Sequence, residues 1–427
     1  MTAAALDQLS SGLSRSPGRL LPIDGREPTS WLAHLERYGP LPSLRGRERS
    51  LLAAVEQSGL AGRGGAGFPT AIKLRTVAAG RRPVVVANGT EGEPASAKDK
   101  ALMLANPHLV LDGVVAAAAI VSARDAVVVV SREADACRAA IEAALDERPD
   151  ERANIRVASA PERFVAGEES ALVHWLNGHE AKPTFTPPRP FEKGVDGKPT
   201  LVQNVETLAN LGLLARYGPD WFRSAGPPAE PGTVLVTVRG AVKQQRVVEV
   251  ELGTTIRELA RLCGGLRAPV RAVLVGGYFG SWVGPDLDLP LTQAALRPLG
   301  ASLGARTIAL LPADVCGIAE TARVARYMAG ESAGQCGPCV FGLPAVADAL
   351  ETIAFGLPGA AAALNRLPRL SAQIARRGAC AHPDGTLRFV ESALDVFADE
   401  IHLHVVGRCS APHGEPLLPV HSSHEWK

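Results

Sequence analysis

The sequence predicts an α/β fold in three parts: an α/β domain with a mainly parallel sheet, a small β-grasp-like module and a C-terminal helical domain. Three observations carry this. Short valine-rich runs at 83–88, 126–131 and 155–158 alternate with helical patterns at 99–106, 108–123 and 132–147. Apolar runs with β-branched residues are strands buried on both faces, and their alternation with helices implies βαβ crossovers. Beyond the proline-rich stretch 227–231, the segments 233–239 and 245–250 alternate like a hairpin, followed by a helical pattern at 256–263 and a strand at 272–275. From Cys316 onward the pattern is helical to the end, with cysteines at 336, 339, 380 and 409. The expected boundaries are 1–60 for an N-terminal extended arm and helix (47–58), 61–226 for the α/β domain, 232–312 for the β-grasp-like module and 314–427 for the helical domain.

A chain of 427 residues is too long for one core. Its 45 basic and 44 acidic side chains give a formal charge of +1, which argues against a nucleic-acid footprint, since that needs clustered positive charge. Residues 1–19 lack the unbroken apolar centre of a signal peptide. The most apolar stretch, 109–123, is interrupted by Asp112 and is too short to span a bilayer. The expectation is therefore a cytoplasmic protein without direct membrane insertion. Seven cysteines in a reducing compartment point to a metal or redox site before a disulfide framework.

Four segments carry candidate chemistry. Gly62-Arg63-Gly64-Gly65-Ala66-Gly67-Phe68 formally contains G-x-G-x-x-G, but a helical stretch precedes it. The ordinary dinucleotide fingerprint needs a strand there, so that fold is rejected. The loop is either a plain surface turn or a place where successive backbone N–H groups approach an anion or a flat ring. Lys73 follows, with a charge suited to a phosphate. The segment 88–94, with Asn88, Glu91 and Glu93, sits at the carboxyl end of the first strand, where α/β sheets bind ligands. Its acidic residues could equally cap the next helix. The segment 166–172 repeats paired carboxylates, Glu168 and Glu169, at a helix start, and 203–207 offers amide and hydroxyl groups.

These four segments, in this order and at comparable spacing, resemble the FMN- and NADH-site motifs of the family of flavoprotein subunits of respiratory complex I and its soluble diaphorase relatives. A β-grasp module and a helical iron–sulfur domain follow in that family, as they do here. The resemblance implies FMN contacts at Gly64, Gly65, Gly67, Lys73, Asn88, Glu91, Glu168, Asn204 and Thr207. It implies nicotinamide-nucleotide contacts at Phe68, Glu93 and Glu169, with Gly62, Arg63 and Gly167 completing the cofactor-binding segments. It further implies an NAD(P)H dehydrogenase: hydride passes from NADH or NADPH to FMN, then single electrons pass through an iron–sulfur centre. The chain departs from the family at Thr90 (usually aspartate), Gln203 (usually asparagine) and at Leu74 and Arg189, where aromatic rings flank the adenine. A rival expectation, supported by those departures, is a non-catalytic assembly subunit with a decayed flavin site.

Cys336-Gly337-Pro338-Cys339, with Cys380 farther on, admits three readings. A thioredoxin-like dithiol needs a preceding strand, and a helical stretch stands there instead. Zinc bound by Cys336, Cys339, Cys380 and His382 would be four-coordinate. The resemblance favours a thiolate-ligated [4Fe–4S] cluster. One usual ligand position holds Ala333, so the centre is either completed by His382 or reduced to a [3Fe–4S] form. Cys137, Cys263 and Cys316 read as buried apolar residues and Cys409 as structural or free. The chain shows no second cluster motif, so a ferredoxin or another electron-transfer subunit is the expected acceptor.

Overall fold

The computed structural model describes residues 18–22, 29–152, 154–411, 415–421 and 425–427. Of the extended arm expected ahead of residue 47, residues 1–17 and 23–28 lie outside the described residues, and the rest is not simply extended. Within 29–60 a helix, Trp31–Tyr38, precedes the expected one, which runs Glu48–Ser58.

Four parallel strands, β1 (Val84–Gly89), β2 (Asp125–Ser131), β3 (Ile155–Ala160) and β4 (Thr200–Asn204), lie in the order β3-β2-β1-β4. The first three are the valine-rich runs. The fourth is not predicted from the sequence, because five residues after Pro199 give too short a pattern. Its pairing with β1 defines it, with Asn88 opposite Asn204 in register. The chain places β2 and β3 on one side of β1 and then returns to lay β4 on the other. That reversal opens a crevice at the carboxyl ends of β1 and β4, where open α/β sheets hold ligands.

Helices Lys98–Ala105, Pro107–Val121, Asp135–Asp146 and Val205–Arg223 pack around this sheet in one apolar core. Among the described residues no single helix is long and apolar enough to cross a membrane. The bent pair Lys98–Ala105 and Pro107–Val121 passes that test only jointly, and its residues are largely buried. Asp112, fully buried within the second of these helices, is held by Arg148 (2.9 Å), Arg216 (2.7 Å) and His34 Nε2 (2.7 Å). Those partners explain how an ionised carboxylate stays in the core.

The second sheet combines β5 (Thr233–Gly240), β6 (Arg246–Glu251), β7 (Val270–Val275), β8 (Ser281–Val283) and β9 (Thr307–Pro312) in the order β6-β5-β9-β7-β8. Strands β5 and β9 are parallel and the other pairs antiparallel. Its helix, Ile256–Leu262, starts at a capping box of Thr255 and Glu258, which satisfies two backbone donors reciprocally. Helices Gly317–Gly330, Leu343–Ala354, Ala360–Ile374, His382–Val396 and Ala398–Val405 form the C-terminal part and share a core with β7, β8 and β9. All seven cysteines are free thiols.

Candidate active site

A cavity of about 580 Å³ opens over the carboxyl ends of β1 and β4, a size suited to a cofactor or drug-sized ligand. Of the expected cofactor residues, Gly62, Gly64, Gly65, Gly67, Phe68, Lys73, Asn88, Glu91, Glu93, Gly167, Glu168, Glu169, Asn204 and Thr207 all line it. The glycine loop is closed at its base by the Gly62 N–H bond to the Phe68 carbonyl (2.8 Å) and the Ala61–Pro69 bridge. Gly65 and Gly67 adopt φ of 114° and 63°, so the loop turns through backbone conformations that side chains disfavour. At Gly167 a Cβ would lie 2.3 Å from Thr90 Oγ1, so only glycine lets this segment close onto the loop after β1.

Arg63 departs from expectation. Its side chain is buried away from the cavity, while its backbone N–H donates to Thr207 Oγ1 at 2.7 Å and its carbonyl accepts from Arg306. Burial, with Arg306 nearby, lowers the Arg63 pKa to about 10. Thr207 is thus a buckle for the loop as well as a wall residue. The two acidic segments cap helices from positions on the cavity wall. Glu91 accepts from the Asp99 and Lys100 N–H groups (both 3.0 Å), capping helix Lys98–Ala105. Glu168 likewise caps helix Glu169–Leu176 through Ser170 N and Ala171 N. Both still face the cavity.

Lys73 and Glu169 pair at 2.5 Å on the cavity wall. Asn88 donates to the Gly167 carbonyl (2.7 Å), and Asn204 caps helix Val205–Arg223 while donating to Asp99 (2.7 Å). Behind them Lys98 bridges Asp99 (2.6 Å) and Glu206 (2.8 Å), all buried. Burial works against ionisation of Glu206, yet Lys98, Arg306 and Arg63 hold it below its ordinary pKa. Glu93 lies at the meeting of the two sheets. Burial raises its pKa to about 7, and Oε1 has no hydrogen-bond partner.

Sequence reasoning missed several wall residues: Lys98, Asp99, Phe164, Phe279 and Arg388. The Lys98-Asp99 dipeptide beside the acidic segment was a usable signal. Phe164, Phe279 and Arg388 converge only through tertiary packing. The altered adenine positions do not face the cavity: Leu74 is in the core and Arg189 is exposed.

Cys380 forms part of the same cavity wall. Burial raises the Cys339 thiol to about 12, with Cys336 and Cys380 close enough to add to the rise. A short π-helical turn, Pro338–Gly342, follows Cys336, and helix Gly317–Gly330 precedes it, so the strand a thioredoxin-like dithiol requires is missing from this position. His382 is more constrained than expected of a cluster ligand. It is buried against Phe164 and Phe279, its Nε2 is 2.8 Å from the Met328 carbonyl, and only Nδ1 lacks a partner. Cys137 and Cys263 are fully buried, as expected. Cys316 is not a simple apolar residue: it caps helix Gly317–Gly330 and lies 3.2 Å from His404 Nε2.

The residues present fit both cofactors of the resemblance. The glycine cradle, Lys73 and the amides of Asn88 and Asn204 match an anionic flavin nucleotide, and three neighbouring thiols match an iron–sulfur centre. A parallel α/β site at a topological switch point, walled on one side by a thiol of a helical domain, defines a flavin- and iron–sulfur-dependent oxidoreductase.

Comparison with known proteins gives the same class. Residues 55–212 match the Nuo51 FMN-binding domain, 235–277 the SLBB domain and 319–404 the iron–sulfur binding region of NADH-ubiquinone oxidoreductase-F. The chain is 32% identical over 392 residues to the NADH-quinone oxidoreductase F-subunit of Streptomyces coelicolor, covering 87% of this chain and 86% of that one. It is 29% identical to the NADP-reducing hydrogenase subunit HndC of Solidesulfovibrio fructosivorans, covering 82% and 75%. A crystal structure of an NAD+-reducing [NiFe]-hydrogenase superposes with a TM-score of 0.80 at 26% identity, over 95% of this chain and 72% of that chain. The chain belongs to the family of NADH-quinone oxidoreductase F-subunits, with its FMN-binding domain and iron–sulfur binding region.

Proposed function

We propose that this chain oxidises NADH or NADPH at a flavin site and delivers single electrons through its iron–sulfur centre to a protein acceptor, a ferredoxin or a partner subunit, in the cytoplasm. The observation that carries this reading is the convergence of four sequence-distant segments on one cavity whose wall includes Cys380. Bound FMN would supply two-electron acceptance from the nicotinamide and one-electron release towards the cluster. The protein's own groups hold and orient. The N–H groups of the Gly62–Gly67 loop, Lys73, Asn88 and Asn204 would grip the flavin nucleotide. Phe68, half exposed at the cavity mouth, is placed to stack on a base. Glu93 and Glu169 would accept hydrogen bonds from ribose hydroxyls or the carboxamide. Cys336, Cys339 and Cys380 would ligate three irons, leaving the fourth to His382 Nδ1 or a non-protein ligand.

Anaerobic addition of NADH or NADPH to the purified protein, followed by visible absorbance and electron paramagnetic resonance, tests this. Bleaching of the flavin band and appearance of a reduced-cluster signal are expected. A flavin band unchanged by either nucleotide contradicts the reading and favours an assembly subunit. Adding a ferredoxin then asks whether it is reduced in preference to a dye.

A further inference from the structure

Cys316, Glu400, His404 and Cys409, none of them among the flavin and cluster residues, gather in the helical domain. One donor atom from each lies within 4.8 Å of every other. Cys316 Sγ is 3.2 Å from His404 Nε2, and His404 Nε2 is 3.3 Å from Glu400 Oε1. In a tetrahedral zinc site, Zn–S near 2.3 Å and Zn–N or Zn–O near 2.1 Å set donor–donor separations of about 3.3–3.8 Å. The four donors are therefore already close to the spacing one ion imposes. We infer that this group is a structural zinc site, separate from the iron–sulfur centre.

The local sequence explains how the donors meet. Glu400 and His404 are four apart on helix Ala398–Val405 and share a face. Cys316 heads helix Gly317–Gly330, and Cys409 lies just past the end of helix Ala398–Val405. Three of the four residues are buried, and Cys409 is half-buried. A cavity of about 730 Å³ lined by Cys316, His404 and Cys409 gives a path of access. Thiol, imidazole and carboxylate form a donor set that zinc accepts and that calcium or magnesium does not favour. Charge also balances. Binding expels the two thiol protons, leaving two thiolates and a carboxylate against the dication and the Arg271 guanidinium, which contacts Glu400. Ser410 N–H donates to Glu400 Oε1 at 2.8 Å, orienting the carboxylate as an outer partner does.

The position suits a staple. Beyond Cys409 the described segments 415–421 and 425–427 are tied back to the molecule: Leu418 N–H donates to Glu320 (2.9 Å), and Tyr278 OH donates to the Pro419 carbonyl. Trp426 receives a bond from Ala181 N–H (2.9 Å) and lies 4.0 Å from Arg163, which in turn pairs with Glu331 (3.0 Å) at the head of the cysteine segment. A metal at Cys409 would fix the point from which this strap leaves the helices.

The test is metal analysis of the full-length holoprotein, purified anaerobically from zinc-replete cells, beside Cys409→Ser and His404→Gln variants and, separately, Cys336→Ser. The wild type should carry about one zinc in addition to iron. Zinc should fall at least tenfold in Cys409→Ser and His404→Gln with iron and sulfide retained, and should persist in Cys336→Ser as iron falls. If a variant does not fold, zinc-edge absorption spectroscopy of the wild type decides, with two sulfur and two light-atom neighbours expected. Iron-only protein, zinc that follows Cys336 instead of Cys409, or a Cys316–Cys409 disulfide found by mass spectrometry would each overturn the assignment.

Discussion

The backbone N–H of Tyr278 donates to Oε2 of Glu93 at 2.9 Å, joining the turn after β7 to the acidic loop after β1. One oxygen of Glu93 is thereby fixed to the mixed sheet, and the other is buried without a hydrogen-bond partner, while the residue lines the cavity. The sheets thus meet at a buried carboxylate on the cavity wall, and burial raises its pKa to about 7.

That pKa gives the first prediction. Above about 7 Glu93 is ionised and accepts hydrogen bonds strongly, while below it the proton weakens acceptance. The KM for NADH should therefore fall as pH rises through neutrality. The sign for stability is opposite: the folded state holds this proton more tightly than the unfolded chain, so the Glu93 contribution weakens as pH rises towards 7. Glu93→Gln should flatten the KM profile. Identical pH profiles in the two proteins would remove Glu93 from the nucleotide site.

Glu169→Gln should raise the KM for reduced nucleotide roughly ten- to a hundredfold, the range for losing a charged hydrogen-bond partner at about 1.5–3 kcal/mol. Flavin content should stay near wild type, since Lys73, released from its pair, remains on the wall. Steady-state dye reduction and flavin assay measure both quantities. Flavin loss in step with activity would assign Glu169 to the flavin instead.

Ala333→Cys should convert a centre with three thiolates to an all-thiolate one, adding negative charge around the iron and lowering its reduction potential. Ala333 is half-buried on the segment that leads to Cys336. A redox titration followed by electron paramagnetic resonance reads the shift. An unchanged potential with an unchanged cluster type would show that residue 333 does not reach the iron.

Asp112→Ala should destabilise the α/β domain by about 3–5 kcal/mol, because Arg148 and Arg216 are left buried without their shared carboxylate. Urea unfolding monitored by circular dichroism checks the loss. An effect below about 1 kcal/mol, the range of a surface pair, would contradict the buried-network account.

The sequence made legible what local pattern encodes. Strands β1, β2 and β3 were readable because short runs of β-branched residues such as Val84-Val85-Val86 favour buried strands. Strand β4 was not, since Thr200–Asn204 becomes a strand only by lying beside β1. The glycine loop and the residues on its neighbouring segments came through as motifs and through resemblance. Whether Glu91 would cap a helix or lie at a ligand site could not be separated in one dimension; in three it caps the helix and also lines the cavity. The Arg63 carbonyl accepts from Arg306, distant in sequence and just before β9 of the second sheet, a contact no local pattern announces. Cys316 and His404 are 88 residues apart, so their meeting left no spacing signal beyond Glu400 and His404 one helical turn apart.

The most direct measurement is the flavin content of the purified full-length protein. Heat denaturation followed by chromatography of the supernatant should release FMN at about one per chain, the stoichiometry of a single cofactor cavity. Protein that carries no flavin and takes up none when FMN is added would contradict the central claim.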